Sequence, residues 1–251
     1  MVPATHAVLR AGRVRAAVRH DLVPELADWL LARELAVPAE GEPVAGGRGG
    51  AFRLRLPCGL RAVVRRCRRG GLLAHLVRET YLGPGARPLR ELAVAEEARR
   101  RGVPTPEVLA ARVDGRLVYR GAVVTAEIAG GRPLVDALRA APDGPARAAM
   151  AAGAGRAVAL LHRAGVVHAD LNCTNLLVHA GGDGAVAVAV LDLDRARLTP
   201  GPVGPGARRR MLARLARSLG KLDPARTAAA PAEVAAFRCA YERALGEPCA
   251  C

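Results

Sequence analysis

The part of this chain that most constrains its fold is a polar loop, residues 168–175, followed at a fixed distance by Asp192. Two apolar runs separate them, residues 176–178 and 186–191, with a glycine-rich turn between the runs. Apolar runs on either side of such a turn predict a buried antiparallel hairpin. Because the two ends of a hairpin lie next to each other, the pattern places Asn175 beside Asp192.

Three polar side chains stand at the ends of this predicted hairpin: Asp170, Asn175 and Asp192. Phosphoryl transfer from ATP requires one carboxylate to orient the attacking hydroxyl. It also requires an amide oxygen and a second carboxylate to hold magnesium against the triphosphate. His168, Asp170 and Asn175 have the H-x-D-x-x-x-x-N spacing of a kinase catalytic loop. The sequence therefore predicts Asp170 as the catalytic residue, Asn175 and Asp192 as Mg²⁺ ligands, and ATP as the cofactor. Asp194 is expected to assist either a second metal ion or the acceptor.

A second pattern lies upstream, where the glycines of residues 46–50 lead into one predicted strand and residues 60–65 form the next. Glycine lets backbone N–H groups approach phosphates, because no Cβ intervenes. Gly47, Gly49 and Gly50 are therefore predicted to contact the phosphates of ATP.

The second of these strands ends in a cation, Arg65, where kinases commonly place a lysine that holds the nucleotide phosphates. The sole lysine of the chain is Lys221, far from this segment. Arg65 is therefore the predicted phosphate ligand, although an arginine fork differs in geometry from a lysine point charge. Residues 87–99 predict an amphipathic helix, on which Glu91 is the predicted ion-pair partner of Arg65. The alternative is a surface arginine within the basic run of residues 65–69.

Hydrophobic periodicity predicts the remaining elements. The predicted strands are residues 107–113 and 117–128, and the predicted helices are residues 24–35, 134–140, 145–164, 208–219 and 232–245.

The net charge of +15 favours anionic partners such as phosphates, acidic lipids or nucleic acid. Nucleic acid is the weakest of these, because only 2% of the residues are aromatic and base-stacking side chains are scarce. In the basic segment 208–219 the leucines repeat at helical spacing, which predicts a packed helix with a solvated arginine face. The alternative is contact between these arginines and an anionic lipid surface. No apolar run reaches the ~20 residues of a membrane-spanning helix, so a soluble protein, or one held at a membrane surface, is expected.

Several segments together resemble the lipopolysaccharide kinase family, and within it the enzymes that act on 3-deoxy-D-manno-octulosonic acid (Kdo). The resemblance implies an α+β, bilobal, protein-kinase-like fold with a small β-rich lobe and a helical lobe. It also implies transfer of the ATP γ-phosphate to the 4-hydroxyl of Kdo on a lipid A precursor, by an enzyme at the cytoplasmic side of a bacterial inner membrane. The matching segments are residues 65–72, 102–106, 167–172, 191–195 and 215–219.

On this resemblance residues 1–128 form the N-terminal lobe, with the glycine-rich loop and the phosphate contacts. Residues 129–251 form the C-terminal lobe, with the catalytic and metal-binding loops. An arginine at position 65 is normal in this family. The chain departs from the family at Leu193, where Phe is usual, and at Thr174, where His is common.

Three other functions are compatible with parts of the sequence. The first is a kinase of the same fold that acts on a heptose or another small molecule. The second is a glycosyltransferase with Asp192 and Asp194 as a metal-binding D-x-D pair, which leaves Asp170 and Asn175 unexplained. The third is a non-catalytic nucleotide-binding module, which would be expected to have lost Asp170 or Asp192.

Overall fold

The computed structural model describes residues 2–247 apart from 33–34, 36–40, 45–49, 57, 68–80, 83–86, 143 and 183. The chain divides into two compact units, of which the first comprises Met1–Glu96 with Glu107–Glu127 and the second Glu97–Pro106 with Ile128–Cys251. Strands dominate the first unit and helices the second, which confirms the α+β class and the β-rich N-terminal region. The assignment of the nucleotide contacts to residues 1–128, and of the catalytic and metal-binding loops to residues 129–251, stays a prediction.

An antiparallel sheet forms the first unit, and its described strands run in the order β1-β2-β7-β8-β5-β4-β3, with β6 paired to β8. The strands are β1 (His6–Ala11), β2 (Val14–Arg19), β3 (Glu42–Pro43), β4 (Ala51–Arg55), β5 (Arg61–Arg66), β6 (Tyr81–Leu82), β7 (Val108–Gly115) and β8 (Val118–Ala126).

Helix α1 (Val23–Leu31) packs on this sheet through Leu26 and Leu30, which lie one turn apart and are almost fully buried. Pro24 stands in its first turn, where the missing N–H costs nothing. The helix predicted for residues 24–35 is confirmed but ends earlier, because Ala32 takes an extended ψ of 151°.

The second unit is built from helices and short strands. A second helix of the chain, α2 (Arg87–Arg100), begins in the first unit and reaches the second with its last turn. The other elements are β9 (Arg132–Pro133), α3 (Leu134–Ala140), α4 (Gly144–Arg163), β10 (Val166–Val167), β11 (Leu176–Ala180), β12 (Val186–Val190), β13 (Arg197–Leu198), α5 (Pro205–Leu222) and α6 (Pro231–Leu245).

Helices α4 and α6 pack closely in the core of the second unit. A Cβ built at Gly155 would lie 2.2 Å from the carbonyl oxygen of Phe237, so only glycine fits this crossing. The buried imidazole of His162 on α4 makes a hydrogen bond of 2.8 Å through Nδ1 to the hydroxyl of Tyr241 on α6. The second unit therefore has its own core.

Two small sheets complete the second unit. Strands β12, β11 and β9 form one, and β10 pairs with β13 in the other. Beyond β13, the N–H of Thr199 donates to the carbonyl oxygen of Gly165 at 2.8 Å, and its hydroxyl donates to the carbonyl oxygen of Gly201 at 2.6 Å. The chain after Asp194 is thus fastened to the chain that precedes residue 168. In the described parts of the chain, no helix has both the length and the apolarity to cross a bilayer.

Candidate active site

The hairpin of β11 and β12 brings the two polar loops of the second unit together. Its register pairs Leu176 with Val190, so that Asn175 and Leu191 stand at the open end. There the N–H of Leu191 donates to the carbonyl oxygen of Asn175 at 2.8 Å. The predicted hairpin is therefore confirmed, and Asn175 lies opposite the residue that precedes Asp192.

A short 3₁₀ helix, Cys173–Asn175, ends the first loop, and Asn172 caps it. The Oδ1 atom of Asn172 accepts hydrogen bonds from the N–H groups of Thr174, at 2.9 Å, and Asn175, at 3.2 Å. Side-chain oxygens at such a position satisfy helix N–H groups that would otherwise lack a partner. The Nδ2 atom of Asn175 donates to the carbonyl oxygen of Asp170 at 2.9 Å, so the amide nitrogen is engaged within the loop and the amide oxygen remains as an acceptor.

His168 is buried at the base of both loops. Its Nδ1 atom accepts a hydrogen bond from the N–H of Asp170 at 3.1 Å, so its proton is on Nε2, which donates to the carbonyl oxygen of Leu191 at 3.0 Å. Burial lowers the pKa of His168, and the neutral ring suits both contacts. His168 thus connects the loop of Asp170 to the loop of Asp192.

The carboxylate of Asp170 is exposed but held at both oxygens. Oδ2 accepts from Nδ2 of Asn172 at 3.2 Å, and Oδ1 accepts from Nη1 of Arg214 on α5 at 3.1 Å. Sequence reasoning missed Arg214 as a site residue because it lies 44 positions from Asp170 and no local pattern links them. The sequence of α5 predicts a packed helix with a solvated arginine face or a contact with anionic lipid, and neither prediction places an arginine at Asp170.

Asp192 has a left-handed backbone conformation, with φ of 58°. Few residues other than glycine adopt it, although Asp is among those that tolerate it best, and such strain often marks a functional loop. Leu193 is buried between the exposed Asp192 and the half-buried Asp194. The leucine that replaces the usual Phe therefore still anchors the loop through an apolar side chain.

In the first unit, the predicted ion pair of Arg65 and Glu91 is present. Nη2 of Arg65, on β5, donates to Oε1 of the buried Glu91 on α2. Helix α2 is held against the sheet here, since a Cβ at Gly121 of β8 would lie 2.4 Å from Cγ of Pro88. Arg66 is engaged elsewhere, because its Nη2 donates to the carbonyl oxygen of Leu35 at 2.9 Å. Arg65 is thus the arginine of this strand that Glu91 orients.

Of the predicted phosphate-binding glycines, Gly47 and Gly49 lie outside the described residues. Gly50 is buried just before β4, and its carbonyl oxygen accepts a hydrogen bond from the N–H of Arg66 at 2.8 Å. This contact joins the end of the glycine-rich segment to strand β5.

A profile of the lipopolysaccharide kinase (Kdo/WaaP) family matches residues 40–241. The chain belongs to this family. This lipopolysaccharide kinase is accordingly a phosphotransferase that uses ATP and acts on a hydroxyl group. The assignment replaces the glycosyltransferase interpretation of Asp192 and Asp194.

Curated relatives and a solved structure share extensive similarity with this lipopolysaccharide kinase. The 3-deoxy-D-manno-octulosonic acid kinase of Xanthomonas campestris pv. campestris strain B100 is 40% identical over 188 residues, 72% of this chain and 70% of the relative. That of Stenotrophomonas maltophilia strain R551-3 is 38% identical over 189 residues, 73% and 72% of the two chains. The structure of WaaP in complex with acyl carrier protein aligns with a TM-score of 0.52 at 23% identity, over 81% of this chain and 78% of that one. This structural likeness shows the shared protein-kinase-like fold.

Proposed function

We propose that this lipopolysaccharide kinase transfers the γ-phosphate of ATP to the 4-hydroxyl of Kdo on a lipid A precursor. The observation that carries the proposal is the identity of about 40% with Kdo kinases across most of both chains. The geometry of the loops around His168 supports it, because a carboxylate, an amide oxygen and a second carboxylate are fixed in the order that phosphoryl transfer requires.

Asp170 is the proposed catalytic residue. Its exposed carboxylate accepts a hydrogen bond from the attacking hydroxyl and takes the proton as the bond to phosphorus forms. The contacts that Asn172 and Arg214 make to its two oxygens fix the carboxylate before the acceptor arrives. Preorganisation of this kind is a large part of what such enzymes contribute, since phosphoryl transfer depends mainly on positioning and charge.

Asn175 and Asp192 are the proposed Mg²⁺ ligands, with Asp194 assisting. The donor set fits this ion, because Mg²⁺ prefers hard oxygen ligands and is usually held by one or two carboxylates together with substrate phosphates. The hydrogen bond from Nδ2 of Asn175 to the Asp170 carbonyl engages the amide nitrogen, so the amide oxygen is the atom that remains for this purpose. When bound, the ion neutralises charge on the phosphates. The corresponding test is Asp192→Ala, which should abolish Mg²⁺-dependent phosphate transfer. Addition of Mn²⁺ or a higher concentration of Mg²⁺ should restore little of the activity.

Arg65 is proposed to hold the phosphates of ATP, with Glu91 fixing its orientation. An arginine has several N–H donors in one plane, so it can give one to Glu91 and others to phosphate oxygens. The backbone of Gly47, Gly49 and Gly50 is proposed to complete the phosphate contacts.

The enzyme is proposed to act at the cytoplasmic side of the inner membrane as a peripheral protein. Its net charge of +15 suits an anionic leaflet and an acceptor that bears phosphates and a carboxylate. Each basic group near such a surface contributes about 1 kcal/mol of attraction. This attraction should weaken as the salt concentration rises.

The decisive experiment offers Mg-ATP and a Kdo-bearing lipid A precursor to the purified protein and reads phosphate gain by mass spectrometry. The experiment compares three other acceptors at equal concentration: free Kdo, a heptose-bearing lipid and an aminoglycoside. The Asp170→Ala variant is the negative control. We expect phosphate on the Kdo lipid, at the 4-hydroxyl by NMR. Preference for the heptose lipid or the aminoglycoside would replace the acceptor and leave the kinase assignment intact.

A further inference from the structure

Helix α5 packs directly on the loop that carries Asp170. The N–H of His168 points to Sδ of Met211 at 3.2 Å, and the N–H of Cys173 donates to Oγ of Ser218 at 3.2 Å. Met211 and Leu215 are buried on this side of the helix. The rotation of α5 about its axis is therefore set by the catalytic loop itself.

That rotation leaves a row of exposed cations beside the loop. Arg210, Arg214, Arg217 and Lys221 recur at helical spacing, so they lie on one face, and all of them are exposed. Arg209 is also exposed, but at ~100° per residue it points about 140° away from Arg214. The row is thus specific to one side of α5.

Arg214 is the member of this row that reaches Asp170. Its Nη1–H donates a hydrogen bond to Oδ1 of Asp170 at 3.1 Å, and half of the Arg214 side chain is exposed. Such an exposed pair contributes little to stability, so folding alone does not account for it. An arginine has five N–H donors, and no second partner of Arg214 is seen within the described part of the chain. Residues 168–175 contain no Arg or Lys, so the cation beside Asp170 is supplied by α5.

A cation at this place solves an electrostatic problem of the proposed reaction. An acceptor that carries a carboxylate on the same ring as its reacting hydroxyl brings a like charge toward Asp170. Repulsion between two carboxylates a few ångströms apart opposes binding. A guanidinium between them makes the net electrostatic interaction attractive. Arginine also matches a carboxylate geometrically through paired N–H donors.

We propose that Arg214 recognises the carboxylate of the acceptor sugar while it holds Asp170, and so selects acidic over neutral acceptors. This inference rests on the proposed function, because it takes the acceptor to be a sugar acid whose hydroxyl faces Asp170. It makes Arg214 a specificity-determining residue that touches the substrate.

The test compares two acceptors: the Kdo lipid and the same lipid with its Kdo carboxylate converted to an amide, both dispersed in detergent. The wild-type enzyme should favour the acid by about 10- to 100-fold in kcat/KM, because that ratio corresponds to the free energy that hydrogen bonds to a charged group contribute. Arg214→Gln should lose this preference through a raised KM for the acid, with the KM for ATP unchanged. Arg214→Lys should recover part of it. Arg209→Gln, on the other side of the same helix, should behave as the wild type.

The outcomes separate this inference from the proposed function. If Arg214→Gln keeps the preference for the acid, Arg214 only positions Asp170 and the inference is wrong, whatever fall in kcat the two acceptors share. If the wild type uses acid and amide equally well, the inference is also wrong while the Kdo kinase function stands. If the wild-type enzyme phosphorylates another sugar but neither of the two Kdo acceptors, the proposed function itself is refuted.

Discussion

Nε2–H of His168 donates a hydrogen bond to the carbonyl oxygen of Leu191 at 3.0 Å and so connects the loop of Asp170 to the residue before Asp192. The other ring nitrogen accepts from the N–H of Asp170. One neutral imidazole therefore fixes the backbone on both sides of the site. The H of the H-x-D pattern is in this protein a structural bridge between two functional loops.

Replacing His168 by Ala should damage both stability and activity. The buried ring loses two part-buried hydrogen bonds and leaves a cavity, which together lower the free energy of unfolding by about 2–4 kcal/mol. Urea unfolding followed by circular dichroism measures this change, and initial rates measure the fall in phosphate transfer. His179→Ala, at a half-buried ring on β11 with an exposed hydrogen bond, is the control and should cost less than about 0.5 kcal/mol. A His168→Ala enzyme with normal stability and activity would show that the bridge is dispensable.

Asp170→Asn keeps the shape of the side chain but removes the proton acceptor. We expect kcat to fall by about 10²- to 10⁴-fold, the range for loss of a general base, while ATP affinity by calorimetry stays near the wild-type value. Asp136→Asn, at an exposed carboxylate on α3, serves as the matched control with normal turnover. Undiminished turnover of Asp170→Asn would remove it from the catalytic role.

The Arg65–Glu91 pair should act as a unit. Arg65→Ala is expected to lower kcat/KM for ATP by about 10²- to 10³-fold, as for loss of a preorganised charge at the reacting phosphates. Arg65→Lys should also be impaired, because an ammonium lacks the planar set of N–H donors with which arginine can bind Glu91 and a phosphate at the same time. Glu91→Gln added to Arg65→Ala should cost little more than Arg65→Ala alone.

The control for this pair is Arg61→Ala, at the start of the same strand, where the side chain is exposed and pairs with Glu127. It should retain normal ATP kinetics. If Arg65→Ala does so as well, the phosphates are held by another cation.

Stability should fall in acid because of His162. Burial and the nearby charge of Arg208 lower its pKa to about 4, whereas an unfolded histidine titrates near ~6.5. Between these two pH values the unfolded chain binds more protons than the folded one, so unfolding becomes easier as the pH drops. The loss should reach about 3 kcal/mol by pH 4. Urea titrations at several pH values should show a flatter profile for His162→Gln, and equal slopes for both proteins would contradict the assignment.

Two glycines should respond to Ala in opposite directions. At Gly155 the added Cβ meets the Phe237 carbonyl oxygen at 2.2 Å, and such overpacking costs about 1–3 kcal/mol. At Gly220, within α5, a Cβ has no neighbour within 4 Å, so Ala should stabilise the protein by about 0.5–1 kcal/mol. Thermal unfolding of both variants measures the difference, and a neutral Gly155→Ala would mean that α4 and α6 can separate.

The sequence predicted those elements whose pattern is local. Residues 134–140 form a helix with the predicted bounds, and the hairpin that joins Asn175 to Leu191 follows from two apolar runs around a turn. The N-terminal hairpin of β1 and β2 was missed, because β1 has no clean alternation of buried and exposed residues. Its one available signal was Gly12, which adopts a positive φ of 56° in the turn.

The residues of the site also divide into those that a local pattern predicts and one that it does not. The spacing of Asp170, Asn175 and Asp192 can be read from neighbouring segments of the sequence, and Glu91 could be inferred from helix periodicity. The contact of Arg214 with Asp170 depends on how α5 packs against the catalytic loop through Met211. That packing depends on contacts such as the one between His168 and Met211, which lie 43 positions apart in the chain, so periodicity within α5 could not reveal it.

The pairing of β10 with β13 has a consequence for how the segment after Asp194 can move. Val166 pairs with Leu198, so the chain that leaves Asp194 returns at once to the strand that leads into residues 168–175. To displace this segment, the strand pair and the hydrogen bond from the N–H of Thr199 to the carbonyl oxygen of Gly165 would have to break together. The loops of Asp170 and Asp192 are therefore connected both through His168 and through this strand pair, and a shift of one loop should carry the other with it.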